Sequence, residues 1–280
     1  MKQSKYELSE AFLKKNSLIM KCPFCNADFK VQNHALKCMN NHTINISKKG
    51  TVNFITTSNY KESDIYNEKL FNHRRKFIEE NMYQELYDKI SEIINHELKN
   101  RKEISILDLG CGEGLHAQKI LEKLHLKYQY YGFDYSKIAI SKASTYSSQN
   151  HFFFVGDVSK IPVKDNSIDV IMDILSPYNE KEVKRILKDN GLFIKVTPGV
   201  DYLKELRQIQ GLNEYQNEKI IEENLKRQFS KILKYEVNHT YQINEEQFEN
   251  LLNMTPIRNK NNHETCSFIT INLNIYEIKK

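Results

Sequence analysis

The stretch that decides the fold is Ile106-Leu107-Asp108-Leu109-Gly110-Cys111-Gly112-Glu113-Gly114. It begins with an apolar run, passes through three alternating glycines and leads into an amphipathic segment. This change of pattern predicts a strand, a tight loop and then a helix. Glycine lets the backbone turn sharply and approach a ligand closely. The stretch therefore predicts a ligand-binding loop at the carboxyl end of a strand, with Cys111 as a small filler side chain.

Strands and helices alternate after this loop, which indicates an α/β fold. Helical segments near residues 115–124, 136–147, 179–188 and 201–208 separate short apolar runs at residues 104–109, 128–133, 152–155, 168–174 and 192–196. Such alternation predicts a parallel sheet with helices on both faces. Residues 235–243 and 267–278 have the pattern of two long strands, which we expect to pair antiparallel at the sheet edge.

The charges of the loop indicate what it binds. A dinucleotide-binding loop has the spacing G-x-G-x-x-G, whereas this loop has D-x-G-x-G-x-G. Asp108 and Glu113 would repel a pyrophosphate and favour a cationic ligand that carries an amine. S-adenosylmethionine, with its sulfonium and ammonium groups, has this chemistry. We therefore predict a class I, Rossmann-like S-adenosylmethionine-dependent methyltransferase domain.

The ends of the next two strands supply the other candidate cofactor residues. Asp134 ends the second strand and could accept hydrogen bonds from both ribose hydroxyls, while Asp157 and Val158 follow the third strand near the adenine amine. The cofactor residues predicted from this pattern are Asp108, Gly110, Gly112, Glu113, Gly114, Asp134, Asp157 and Val158.

A second motif near the start of the chain predicts a zinc site. Cys22, Cys25, Cys38 and His42 follow the spacing C-x2-C-x12-C-x3-H, which is typical of a tetrahedral structural zinc ion in a zinc-ribbon-like module. His34 could replace His42 in the ligand set. Four protein ligands leave no open position, so we expect one structural ion per chain. A module this small has too little apolar surface to fold alone, so zinc should supply much of its stability.

Composition and charge restrict the class of protein. The chain has 280 residues, of which 40% are hydrophobic and 28% charged, and it has no apolar run long enough to cross a membrane. We expect a cytoplasmic protein whose five cysteines are metal ligands or buried thiols. The net charge is +5, yet residues 1–60 alone carry +6 from nine Lys and three acids. This surplus suits a polyanion partner.

The pattern divides the chain into four parts. Residues 1–20 have the composition of a polar, helical extension, and residues 21–56 form the zinc-binding module. Residues 57–102 combine a linker with helical periodicity, and residues 103–280 form the methyltransferase domain.

The combination of the two motifs resembles one family. A zinc module of this spacing before a class I methyltransferase domain is similar to the bacterial 23S rRNA (guanine-N1) methyltransferases, which act on a hairpin of that RNA. The features that carry the resemblance are the four zinc ligands, Lys49-Gly50-Thr51-Val52-Asn53-Phe54, Arg74-Arg75-Lys76-Phe77, Tyr83, the glycine loop, Thr197-Pro198-Gly199 and Met254-Thr255-Pro256.

The resemblance also implies roles for particular residues. Gly112, Glu113 and Tyr83 would contact S-adenosylmethionine. Tyr202 stands where the family often has a histidine after Thr-Pro-Gly, and we count it among the predicted cofactor residues. The chain lacks the tryptophan that several relatives have near Met254. The family further implies a homodimer whose paired zinc modules form one RNA cleft.

The RNA-binding and catalytic groups are less clearly marked. Arg74, Arg75 and Lys76 lie on a basic helix that would contact phosphates beside the zinc module. Asp173 is a weak candidate for the group that accepts the guanine N1 proton, and Tyr178 could stack on the base. The sequence assigns no catalytic residue. An alternative hypothesis is a small-molecule methyltransferase whose zinc module serves dimerisation or acts as a lid.

Overall fold

The computed structural model describes residues 3–16, 19–55, 60–61, 65–213, 215–255 and 264–280, and it contains a small and a large β-sheet. The strands are β1 (Phe29–Gln32), β2 (Ala35–Cys38), β3 (Thr43–Asn45), β4 (Val52–Asn53), β5 (Glu103–Leu109), β6 (Lys127–Asp134), β7 (His151–Val155), β8 (Ile168–Ile174), β9 (Leu187–Pro198), β10 (Lys231–Gln242) and β11 (Phe268–Lys279). The helices are α1 (Lys5–Asn16), α2 (Glu68–Glu79), α3 (Gln84–Glu97), α4 (Leu115–Leu121), α5 (Lys137–Ala143), α6 (Glu180–Ile186), α7 (Lys204–Ile209), α8 (Glu218–Gln228) and α9 (Glu245–Met254).

The large sheet has the order β10-β11-β9-β8-β5-β6-β7-β4. The strands from β4 to β9 in this order pair in parallel, while β11 runs antiparallel to both β9 and β10. The predicted α/β fold and the antiparallel end of the sheet are therefore confirmed. Because β5 lies between β6 and β8, the strand order reverses there. In open α/β sheets, ligands bind in the crevice outside the carboxyl ends of the strands at such a point.

The central strands β5, β7 and β8 of the large sheet are mostly apolar because nearly all of their residues are buried on both faces. Ile106 and Val170 belong to one buried cluster, whereas their neighbours Leu107 and Ile171 belong to another. Successive side chains of a strand point to opposite faces, so both sets are buried at once. The predicted apolar runs reflect this double burial.

Side-chain caps set the starts of several helices. Asn67, Ser136 and Asn179 accept a hydrogen bond from a backbone N–H in the first turn of α2, α5 and α6 respectively. Asn244 and Gln247 form a capping box at the start of α9. These caps satisfy N–H groups that have no partner within the helix. Among the helices of the described residues, none is both long and apolar enough to span a membrane.

The first helix is part of the core and not only a polar extension. Phe12 and Leu13 of α1 are buried, and the Phe12 ring lies 5.0 Å from the ring of Tyr131 and 5.7 Å from that of Phe152. Helix α1 therefore covers one face of the large sheet.

The zinc-binding module is joined to the large sheet through β4. Strands β1, β2 and β3 form the small antiparallel sheet. The chain then continues into β4, where Val52 pairs in parallel with Phe154 of β7. The N–H of Phe54 donates to the carbonyl of Val155 at 2.9 Å, which extends the pairing to the carboxyl edge of the sheet. We predict that the zinc-binding module ends at residue 56. Residues 56–59 lie outside the described residues, so this boundary stays a prediction.

Candidate functional site

The glycine loop leaves open space above its middle glycine. Gly110 and Gly112 have φ values of +66° and +57°, a region that favours glycine. A Cβ atom on Gly110 would lie 2.6 Å from the Cβ of Ser176, so this position is closed by packing. On Gly112 the nearest atom, Nη1 of Arg74, would be 3.8 Å away. The surface over Gly112 is therefore where a ligand can approach the backbone, before Gly114 begins α4.

Asp134 connects the loop to the neighbouring strand. Its Oδ2 accepts a hydrogen bond from the N–H of Gly112 at 3.0 Å, and its Oδ1 accepts from the N–H of Ser136 at 2.8 Å. Burial raises the pKa of Asp134, while these two N–H groups act against the rise. The carboxylate thus fixes the loop at the place where we predict the ribose to bind.

Asp157 and Val158 lie just beyond β7, at the same edge of the sheet. Oδ1 of Asp157 accepts from the N–H of Ser159 at 2.7 Å, and Val158 packs on one of the buried clusters. The N–H of Gly156 donates to the carbonyl of Asp134 at 3.0 Å, which keeps the two strand ends together. Their contact with adenine stays a prediction.

Two buried acidic side chains adjoin the loop. Asp108 is buried behind it and accepts a hydrogen bond from the hydroxyl of Tyr130 at 2.9 Å. Burial raises the pKa of Asp108 to about 8. Glu113 is also buried, and its Oε1 has no hydrogen-bond partner among the residues that the structure describes. A buried carboxylate oxygen without a donor fits a ligand that carries an ammonium group, so the loop fits S-adenosylmethionine.

The buried charge of Asp108 should make stability depend on pH. Below about pH 4 both the folded and the unfolded chain hold this carboxyl protonated. As the pH rises towards 8, the unfolded chain ionises first, so the wild type loses stability relative to Asp108→Asn. We expect the stability advantage of the variant to be larger at pH 8 than at pH 5.5 by at least about 1.4 kcal/mol, the equivalent of one pKa unit. Urea denaturation at both pH values measures it, with exposed Asp189→Asn as the control; equal advantages would contradict the assigned burial effect.

Aromatic side chains form a wall next to the loop. The hydroxyls of Tyr83 and Tyr202 lie 3.0 Å apart, so the structure brings together two residues that are 119 positions apart in the chain. Tyr87 hydrogen-bonds to His116 at 2.8 Å, and the His116 ring lies 5.1 Å from that of Tyr83. Burial lowers the pKa of His116 to about 3, so this imidazole is neutral. Tyr87 and His116 were not among the predicted site residues; the i, i+4 spacing of Tyr83 and Tyr87 was the available signal.

A turn after β9 positions Tyr202. The N–H of Gly199 donates to the backbone carbonyl of Asn272 at 2.9 Å, and Oδ1 of Asn272 accepts from the N–H of Asp201 at 3.1 Å. The motif Thr197-Pro198-Gly199 therefore shapes the turn that leads to the aromatic wall. Of the second motif, Met254 is buried at the end of α9, whereas Pro256 lies outside the described residues.

The three residues of α2 that we predict to contact RNA point in different directions. Arg74 approaches Gly112, as described above. Arg75 donates to the hydroxyl of Tyr146 at 2.6 Å and to Glu79 at 2.9 Å. Lys76 is exposed, with its ammonium 3.6 Å from a carboxylate oxygen of Glu246. Successive residues of a helix are about 100° apart, since a turn takes about 3.6 residues. Their contact with phosphates stays a prediction.

The four predicted zinc ligands lie together. The Sγ atoms of Cys25 and Cys38 are 3.7 Å apart, and Nδ1 of His42 is 3.6 Å from Sγ of Cys22 and 3.4 Å from Sγ of Cys38. All four ligand atoms lie within 4.8 Å of one another. Tetrahedral zinc with Zn–S bonds of about 2.3 Å places sulfurs about 3.8 Å apart. The donor set therefore fits zinc.

Two turns bring the ligands into place. The N–H of Asn26 donates to the carbonyl of Cys22, and that of Asn41 to the carbonyl of Cys38. Both asparagines have positive φ, which this residue tolerates better than most. The backbone N–H of Ala27 lowers the pKa of Cys25 to about 6, which favours the thiolate. His34 is not a ligand, because its Nδ1 lies 2.8 Å from Glu10 and its ring contacts Tyr6.

The candidate proton acceptor is not accessible. Asp173 is 0% exposed, and its Oδ1 accepts hydrogen bonds from Ser176 at 2.7 Å and from Lys195 at 3.1 Å. Its carboxylate thus holds the loop after β8, while its Oδ2 is buried without a hydrogen-bond partner among the described residues. That Asp173 accepts the N1 proton stays a prediction. Tyr178 packs against Phe193 and donates to Gln228, which supports a packing role.

Known proteins share this architecture. A family model described as a methyltransferase domain matches residues 100–250, more than half of the chain. The Bacillus subtilis protein YxjB, named as a 23S rRNA (guanine-N1)-methyltransferase, is 36% identical over 205 residues, which are 68% of each chain. The 23S rRNA (guanine(748)-N1)-methyltransferase of Streptomyces fradiae is 25% identical over 69% of this chain and 68% of its own.

A solved structure gives a more distant likeness. The YcgJ protein from Bacillus subtilis aligns with a TM-score of 0.48 and 17% identity, over 66% of this chain and 99% of that one. This likeness is too distant to add to the assignment. The family model, the relative at 36% identity and the glycine loop agree with one another. The chain therefore belongs to the family of 23S rRNA (guanine-N1)-methyltransferases and is a class I enzyme that depends on S-adenosylmethionine.

Proposed function

We propose that the enzyme transfers a methyl group from S-adenosylmethionine to N1 of a guanine in a hairpin of 23S rRNA. The observation that carries this proposal is the common position of the two motifs. The glycine loop lies at the carboxyl edge of the large sheet, and β4 brings the zinc-binding module to the same edge, where Phe54 bonds to Val155. An RNA held by the module would thus lie near the cofactor. The names of the relatives supply the type of RNA and the base.

The cofactor supplies an activated methyl group on a sulfonium. Asp134 would hold the ribose, Asp157 and Val158 the adenine, and Glu113, Tyr83 and Tyr202 the methionine part beside Gly112. Holding two reactants in attack geometry can contribute about 7–11 kcal/mol to catalysis, so we expect positioning to be a large part of what this site does. Guanine N1 must also lose its proton. Since Asp173 is buried, the acceptor that we propose for this proton is a water molecule or a group of the RNA.

The outer face of the small sheet supports an anionic partner. Lys30 of β1 lies directly opposite Lys37 of β2, and Lys37 lies opposite Thr43 of β3. Like charges opposite each other destabilise a sheet. Neither lysine forms an ion pair with a carboxylate of the described residues. A phosphate backbone would relieve this repulsion.

Salt dependence tests the RNA partner. Each phosphate contact contributes about 0.7 to 0.9 to the slope of log affinity against log salt. Lys30→Ala with Lys37→Ala should therefore weaken binding to a 23S rRNA hairpin fragment and flatten this slope by up to about 1.8. The affinity for S-adenosylmethionine should not change. A salt titration by fluorescence anisotropy measures the slope.

A control separates the two lysines from net charge. Lys219→Ala with Lys231→Ala removes the same charge from exposed positions elsewhere and should leave the slope unchanged. Identical slopes for both double variants would contradict RNA docking by this face.

The position of the methyl group is a separate test. N1 methylation blocks base pairing, so reverse transcription of rRNA should stop at one guanine only in cells that contain the protein. If the rRNA shows no such stop while the purified enzyme methylates small molecules, the alternative small-molecule function gains support.

We also propose a homodimer with paired zinc modules, which sedimentation of the purified protein would reveal.

A further inference from the structure

We propose that Arg74 binds the carboxylate of the methionine part of S-adenosylmethionine, and that it is a cofactor residue instead of an RNA contact. This inference rests on the proposed cofactor and not on the identity of the methyl acceptor. It adds the partner for the one anionic group of a ligand that is otherwise cationic.

The position of Arg74 supports this role. The residue lies in the middle of α2, is partly buried, and holds Nη1 3.8 Å from the point where a Cβ of Gly112 would be. Helix α2 therefore places a guanidinium directly over the open part of the glycine loop. A ligand lying on Gly112 would contact this group.

The guanidinium is weakly engaged in the protein. Nη2 of Arg74 donates to the carbonyl of Met254 at 3.5 Å, the long end of the hydrogen-bond range, and the group lies 5.5 Å from the Phe71 ring centre. No ion pair joins it to a carboxylate within the part of the chain that the structure describes. An arginine has five N–H donors in a planar fork that matches a carboxylate. Most of these donors remain available.

The charges around the loop explain why a cation is needed there. Burial raises the pKa values of Glu113 and Asp134, and the charge of Arg74 acts against both rises. The same charge lowers the pKa of Tyr202 against the larger effect of burial. Arg74 is therefore close to the predicted cofactor groups on both sides. Without Arg74, the carboxylate of the cofactor would lie next to the acidic side chains of Glu113 and Asp134 with no cation between them.

Its neighbours in sequence do not have this placement. Arg75 is turned towards Tyr146 and Glu79, and Lys76 is exposed. A phosphate of a folded hairpin can reach Lys76 from solvent, whereas it would have to enter the crevice above Gly112 to reach Arg74. Of the three residues, only Arg74 therefore faces the cofactor crevice.

Two ligands that differ only in the carboxylate test the inference. S-adenosylmethionine and its decarboxylated analogue are titrated calorimetrically into the wild type, Arg74→Gln and the control Arg101→Gln, which changes an exposed arginine. We expect Arg74→Gln to weaken S-adenosylmethionine binding about 10- to 100-fold, the equivalent of about 1.4–2.7 kcal/mol. Its affinity for the decarboxylated analogue should stay within about twofold of the wild type, because the group that Arg74 binds is absent. Arg101→Gln should change neither affinity more than about threefold, as expected for a distant, independent site.

The other outcomes are distinguishable. Equal losses for both ligands in Arg74→Gln would mean that Arg74 only shapes the loop, and unchanged affinities would mean that it does not touch the cofactor; either result overturns the inference. Arg74→Lys, which keeps the charge and loses the fork, should restore part of the discrimination between the two ligands. If the wild type bound neither ligand, the proposed cofactor itself would be wrong, and the inference with it.

Discussion

Replacing Cys38 by serine should lower the zinc content from about one ion per chain to nearly none. Cys38 is buried between two other ligands, with Cys25 and His42 both within 3.7 Å. Structural zinc contributes about 10–16 kcal/mol of binding free energy in small modules, and this energy is also their folding energy. The module should therefore unfold, and affinity for the rRNA hairpin should fall with it. Mass spectrometry of the metal and a binding titration measure the two effects.

The cofactor site should respond much less to this change. The glycine loop follows β5, and strands β6 and β7 separate β5 from β4 in the large sheet. The loop's own contacts are to Asp134 and Ser176. We expect the affinity for S-adenosylmethionine to stay within about threefold, as for distant, independent sites. Cys266→Ser, outside the cluster, is the matched control and should keep its zinc. Full zinc occupancy in a Cys22→Ser, Cys38→Ser double variant would refute the ligand set.

Replacing Asp134 by alanine should weaken S-adenosylmethionine binding about 100-fold. The carboxylate has two tasks: it accepts the N–H bonds of Gly112 and Ser136, and in our proposal it holds the ribose. Each hydrogen bond to a charged group is worth about 1.5–3 kcal/mol, and each 1.4 kcal/mol is a tenfold change in affinity. Calorimetry of the variant measures the loss.

A surface carboxylate provides the comparison for Asp134. Asp189→Ala removes a side chain that is 81% exposed and should leave the affinity unchanged. Asp134→Asn keeps the size of the side chain and one acceptor oxygen, so its loss should be smaller than that of the alanine variant. If calorimetry gave the wild-type affinity for Asp134→Ala, the second strand would not carry the ribose site.

The large sheet and the zinc ligands could be predicted because their signals are local. A strand buried on both faces is a continuous apolar run, as in residues 168–174, where prediction and structure coincide. The four zinc ligands come in two pairs, and each pair occupies one tight turn. In both cases the residues that make the feature lie within a few positions of each other, so spacing alone reveals them.

The features that were missed depend on contacts between distant residues. The charged residues of α1 predict a polar extension, yet Phe12 contacts Tyr131 and Phe152 from elsewhere in the chain. Strand β4 has two residues, too few to show any periodicity. The packing of α2 decides which way the Arg74 side chain points. A run of basic residues in the sequence does not reveal how the helix packs. The pairing of Tyr83 with Tyr202 likewise has no local pattern.

The pairing of β4 with β7 has a consequence for the fate of the protein when metal is scarce. Strand β7 contains three consecutive phenylalanines and no Asp, Glu, Lys or Arg. An uncovered, apolar edge of this kind is a template for aggregation. Residues 52 and 53 shield it, and they follow the segment that carries the predicted zinc ligands. Metal starvation would then favour slow self-association of chains whose cofactor domain is still folded, and a shortened chain that begins after β4 would associate for the same reason.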